Sequence, residues 1–71
     1  MATAKQLEYL TQLTGEDWLS IVGVKYPRLT RNKADWLIRS VKNIRLGHIT
    51  DVGVVNSVVY FIKNWFPSFS F

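Results

Sequence analysis

Apolar residues recur at helical intervals from the start of the chain. Leu7, Leu10 and Leu13 share a face, Thr3 and Gln6 have the spacing of a capping box, and Gly15 supplies a stop, which predicts a helix over 4–13. A short second helix is predicted over 16–22, with Thr14 as its candidate N-cap. Glu16 and Asp17 would occupy its first turn, where the helix dipole favours acids, and Gly23 follows it. Pro27 biases Tyr26 away from helical conformation, so the segment from Val24 to Leu29 reads as an exposed connecting loop.

The clearest helix is predicted over 31–46, with Thr30 as N-cap and Gly47 as its stop. Ala34, Leu37, Ile38, Val41 and Ile44 follow the i, i+3, i+4, i+7 rule for one buried face. The opposite face carries Arg31, Asp35, Arg39, Lys42 and Arg45. Asp35 lies four residues from both Arg31 and Arg39, so one acid can support two arginines at about 0.3 kcal/mol per pair.

The stretch 51–65 admits two readings. Val54-Val55-Asn56-Ser57-Val58-Val59 fits a β-hairpin about an Asn-Ser turn, whereas Thr50 as N-cap and a polar stripe at Asn56, Tyr60, Lys63 and Asn64 fit a helix, which is favoured. As a helix it has a wide apolar face. Val52, Val55, Val59, Ile62 and Phe66 form one stripe, with Val54, Val58, Phe61 and Trp65 beside it. Such a helix lies central in a bundle or keeps a face for a partner. Residues 67–71 form an uncharged aromatic tail that cannot easily continue the helix. Phe69 and Phe71 would point to one side of an extended tail, folded back onto the bundle or docked into another subunit, and folding back is favoured.

The expected fold is therefore all-α: a single domain over 1–71, a small bundle of three main helices plus one short one. In it the third and fourth helices bury their apolar faces against the leucine stripe of the first. Its 71 residues, 48% of them apolar, allow one small core that covers only about 60% of the unfolded surface. With no cysteine and one histidine, disulfides, a Cys-ligated zinc and a thiol nucleophile are all excluded. A homodimer through the C-terminal helix would help so small a core, though nothing in the sequence demands one.

Neither catalysis nor a cofactor is expected. A nucleophile, a base and an orienting group must converge in a cleft that so short a chain can hardly enclose. His48 follows a helix stop, where a cation suits the helix dipole, and has no neighbouring acid or second histidine. Glu16 and Asp17 point about 100° apart on a helix and are explained by its first turn. The N-terminal residues lack a secretion-signal pattern, and the run from Val52 to Phe66 is interrupted by Asn56, Ser57, Lys63 and Asn64. A cytoplasmic protein without a membrane span is thus expected.

Charge changes the picture most. Between residues 25 and 45 stand Lys25, Arg28, Arg31, Lys33, Arg39, Lys42 and Arg45 against the single acid Asp35. A loop and a helix face with several cations suit a phosphate backbone, and Tyr26 and Trp36 lie where they could stack on exposed bases. A solvated face that keeps a small apolar protein soluble is the competing reading.

The segments Thr3-Ala4-Lys5-Gln6-Leu7-Glu8-Tyr9-Leu10, Leu13-Thr14-Gly15 and Leu29-Thr30-Arg31-Asn32-Lys33-Ala34-Asp35-Trp36-Leu37-Ile38 resemble small helical segments of phage and plasmid proteins that process nucleic acid. In addition, Lys33-Ala34-Asp35-Trp36-Leu37-Ile38-Arg39-Ser40-Val41 is similar to the second helix of SAP-type helix-loop-helix domains, which bind DNA. This resemblance implies phosphate contacts by Lys33, Arg39 and Lys42 and nothing catalytic. The connector here is longer than in a SAP domain, and the C-terminal aromatic helix has no counterpart there.

The leading expectation is a nucleic-acid-binding accessory module. The alternative is a small phage-type inhibitor or adaptor whose cations meet an acidic or nucleic-acid-binding surface of a host protein. Its interface would include Trp65, Phe66, Phe69 and Phe71, since buried aromatics dominate interface energy. A membrane-surface peptide is a third option, disfavoured because the cations and most of the aromatic residues fall on different elements.

Overall fold

A computed structural model describes residues 1–21 and 29–71. The connector residues Lys25, Tyr26 and Arg28, all singled out above, lie outside the described residues, as do the expected final residue of the second helix and the Gly23 stop.

Helix α1 spans Ala4–Thr14 and begins as its sequence predicts. The Thr3 hydroxyl accepts the Gln6 N–H at 3.1 Å and the Gln6 side chain accepts the Thr3 N–H at 2.9 Å, completing the capping box. Gly15, at φ 76°, closes the helix by donating its N–H to the Thr11 carbonyl.

Helix α2 is shorter than expected, Trp18–Ile21, and its cap differs. Asp17, immediately before the helix, accepts the Ser20 N–H and hydroxyl with its two carboxylate oxygens, as an N-cap does. Thr14 instead remains the last residue of α1 and is buried. Its hydroxyl donates to the Leu10 carbonyl at 2.7 Å and accepts the Trp18 indole N–H at 2.8 Å, so a buried indole took the group that had been expected to cap α2.

Helix α3 covers Arg31–Arg45, capped by the Thr30 hydroxyl, which accepts the Lys33 N–H. Beyond it, Gly47 at φ 79° donates to Ile44 and the His48 N–H donates to Asn43, the paired bonds of a Schellman motif. The last basic turn of α3 therefore ends in a sharp, hydrogen-bonded stop.

Helix α4 spans Val52–Ile62, and no strand occurs among the described residues. The Asn-Ser pair lies inside the helix, where the Ser57 hydroxyl bonds back to the Gly53 carbonyl. Asp51 caps α4 rather than Thr50: its carboxylate accepts the N–H groups of Gly53 and Val54 at 2.8 and 3.2 Å, a stronger charge-assisted cap than a hydroxyl one residue earlier. The helix unwinds three residues before the expected end, in tight turns that lead to Pro67, whose ring disfavours a helical residue before it.

The core combines Leu7 and Leu10 of α1, Trp18 of α2, Leu29 ahead of α3, Ala34, Leu37 and Val41 within α3, Val58 and Ile62 of α4, and Trp65 and Phe69 beyond it. Leu29, the last residue of the expected exposed connector, is fully buried, and its carbonyl accepts the Ala2 N–H at 2.9 Å. Val58 and Ile62 of α4 belong to the same core as Leu7 and Leu10 of α1, but the two backbones stay apart. Helix α4 lies against α3 and makes no close backbone approach to α1. Large rings join the same core: Trp18 and Trp65 meet at 5.6 Å between centroids, and Phe66 meets Trp18 edge-on at 4.9 Å. Val52 and Val54, assigned to the apolar stripes of α4, are exposed at 71% and 42%, because the buried part of the helix begins only at its second turn.

Candidate anion-binding face

Five of the nine basic residues, Arg31, Lys33, Arg39, Lys42 and Arg45, lie on α3, and each is exposed. With Asp35 as its one acid, this helix has a net charge equal to that of the whole chain, +4. Helical geometry divides the five. Arg39 stands directly opposite the buried Leu37 and Val41; Arg31 and Lys42 lie about 60–80° round from it and Arg45 further round, on Val41's side, together a broad basic ridge, whereas Lys33 stands on the other flank, nearer α4. From Arg31 to Arg45 the ridge rises roughly 21 Å, about the axial length of six successive phosphates on one strand.

Asp35 pairs with Arg39 at 3.1 Å, both side chains being more than half exposed, and no ion pair to Arg31 occurs among the described residues. One acid therefore serves one arginine rather than two. An exposed pair of this kind contributes little and opens readily to a competing anion. The Arg31 carbonyl is held separately, accepting a hydrogen bond from the Gln6 side chain at 3.3 Å, which ties the ridge's first turn to α1. Elsewhere, Asp17 and Asp51 are engaged as helix caps.

The aromatic candidates separate by burial. Trp65 and Phe69 are 2% and 3% exposed, so they are core residues of this chain and present no surface to a partner; that part of the expected interface is corrected. Each fills space that aliphatic residues on four short segments leave open. Phe66 is half-buried against Trp18, and among the described candidates only Phe71, packed edge-on to Phe69, is well exposed. The tail thus folds back, as favoured, through a turn in which the Phe69 N–H donates to the Phe66 carbonyl across Pro67.

Trp36 is half-buried beside the ridge. Its ring meets that of Phe61 edge-on at 5.4 Å, and the Lys33 ammonium lies 5.4 Å from the Trp36 centroid and 5.5 Å from that of Phe61. The sequence pattern places Phe61 only in an apolar stripe. Its proximity to Lys33 depends on which flank of α3 receives α4, and no local pattern carries that information.

His48 is exposed beyond the stop of α3, and no cluster of three metal-ligating side chains occurs among the described residues. No helix among them is long and apolar enough to cross a membrane. Comparisons with protein families, curated proteins and solved structures returned no match to this chain.

Proposed function

We propose that this chain is a non-enzymatic nucleic-acid-binding module that grips phosphates along the outer face of α3. The observation that carries this reading is the concentration of a charge equal to the chain's net charge on the exposed side chains of one helix, while Asp17 and Asp51 are held in caps. Arg31, Arg39, Lys42 and Arg45 are the phosphate ligands, with Lys33 at the flank. Guanidinium groups can take phosphate oxygens two at a time, which favours Arg at three of the four ridge positions. The SAP-type resemblance over residues 33–41 implies the same helix.

A protein partner would have less aromatic surface to use than the sequence suggested, since Trp65 and Phe69 are internal. The phosphate reading is tested by fluorescence anisotropy with labelled single- and double-stranded DNA and RNA at about 50 and about 200 mM salt. Affinity is expected to fall steeply between the two. The double variant R39A/K42A should weaken binding and reduce the slope of log K against log salt by roughly 1.4 to 1.8 for two lost contacts. An absence of binding at the lower salt would overturn the proposal.

A further inference from the structure

Lys33, Trp36 and Phe61 form a corner in which two near-perpendicular rings, at 82°, share one ammonium. The corner borders the phosphate ridge at Arg39, while Arg31, Lys42 and Arg45 lie about 120–180° round the helix from Trp36. Trp36 is three residues from Arg39 and from Lys33 and four from Asn32, the spacings at which side chains are neighbours on a helix surface. Behind it the rings continue inward: Phe61 meets the buried Trp65 at 5.2 Å, and Trp65 meets Trp18. Trp36 is therefore a firmly backed ring at the border between the basic face and the core.

We infer that this corner is a base-stacking site, and that the nucleic acid taken by the α3 face is single-stranded; the inference rests on the phosphate reading above. A paired base offers no free face, whereas an unpaired one can lie on an aromatic ring while its phosphate meets a neighbouring cation. The Lys33 ammonium is the removable cover of the ring. With no strand bound, it shields the aromatic surface through a weak cation–π contact on a flexible four-carbon stem. As a base arrives, the ammonium swings to the adjoining phosphate, so one contact is exchanged for two. No bond is made or broken, and the ring stays anchored by Phe61.

The test compares four probes of about 16 nucleotides, near the upper site size of a single-strand-binding module. They are oligothymidine, oligouridine, an abasic strand with the same number of phosphates, and a mixed-sequence duplex. The wild-type chain should bind at least one of the two base-bearing strands roughly 5- to 150-fold more tightly than the abasic strand. Trp36→Leu should erase that margin while leaving abasic-strand affinity unchanged, and Trp36→Phe should keep most of it. Circular dichroism checks that each variant is folded. Lys33→Met, which retains the stem, should lower the salt slope by about 0.7 yet preserve the margin, which makes the prediction testable without altering the core-facing ring.

Equal affinity for base-bearing and abasic strands, or a margin that survives Trp36→Leu, would overturn the stacking inference and leave the phosphate reading standing. Preference for the duplex over both base-bearing strands would also overturn it. Failure to bind any of the four probes would remove both readings together.

Discussion

Thr14 shows how one hydroxyl can decide the local arrangement. It lies at a helix end, where a threonine ordinarily caps the next helix, yet its oxygen links the Trp18 indole to the Leu10 carbonyl inside the core. Replacing Thr14 with Val preserves shape but strands a buried N–H, at a cost of about 1–3 kcal/mol. Urea unfolding should find T14V clearly less stable than T14S, which keeps the hydroxyl; equal stabilities would show that the relay contributes nothing. The Trp65 indole N–H, by contrast, has no hydrogen-bond partner among the described residues. Its ring position is therefore set by packing against Trp18 and Phe61, not by a polar anchor.

Among the elements, the C-terminal tail folds back as expected, yet its two phenylalanines end in different environments. Phe69 is buried while Phe71 is 44% exposed, although the two are neighbours in an alternating pattern with identical chemistry. Phe69→Ala is expected to cost about 3 kcal/mol through lost burial and the cavity left behind, and Phe71→Ala less than about 1 kcal/mol. Thermal unfolding of the two variants would show the asymmetry, since 1 kcal/mol moves the midpoint of a domain this small by roughly 4–8 °C. Comparable losses would mean that the tail packs otherwise. Removing residues 67–71 accordingly perturbs the core and is a poor probe of partner binding. Helix α3 was legible in its cap, its stop and the buried Ala34, Leu37 and Val41, although Ile38 and Ile44 are only half-buried and Ser40 is buried instead. Thr30, the apolar spacing and Gly47 act within one or two turns, and no tertiary contact competes with them.

For the molecule as a whole, charge and stability reside on different surfaces of the same helix. The inner face of α3 contributes Ala34, Leu37 and Val41 to the core, and its outer face carries exposed cations. Substitutions at Arg39 and Lys42 should therefore alter binding with little effect on unfolding. A strand that binds only the folded chain stabilises it, by about 2.7 kcal/mol at a hundredfold excess over Kd. Saturating oligonucleotide should accordingly raise the melting temperature of the wild-type chain, and raise that of R39A/K42A much less at the same concentration. An equal rise in both would place the binding elsewhere.

The helical class, the starts of α1 and α3, their glycine stops and the polarised charge could be read directly from the chain. Each depends on residues three or four apart, whose hydrogen bonds and faces follow from helix geometry alone. The packing partner of α4, the burial of Leu29, Trp65 and Phe69, the role of Thr14 and the meeting of Lys33 with Phe61 could not. They depend on how large rings from distant segments share one small volume, and that competition for space is settled only when the whole chain closes around them.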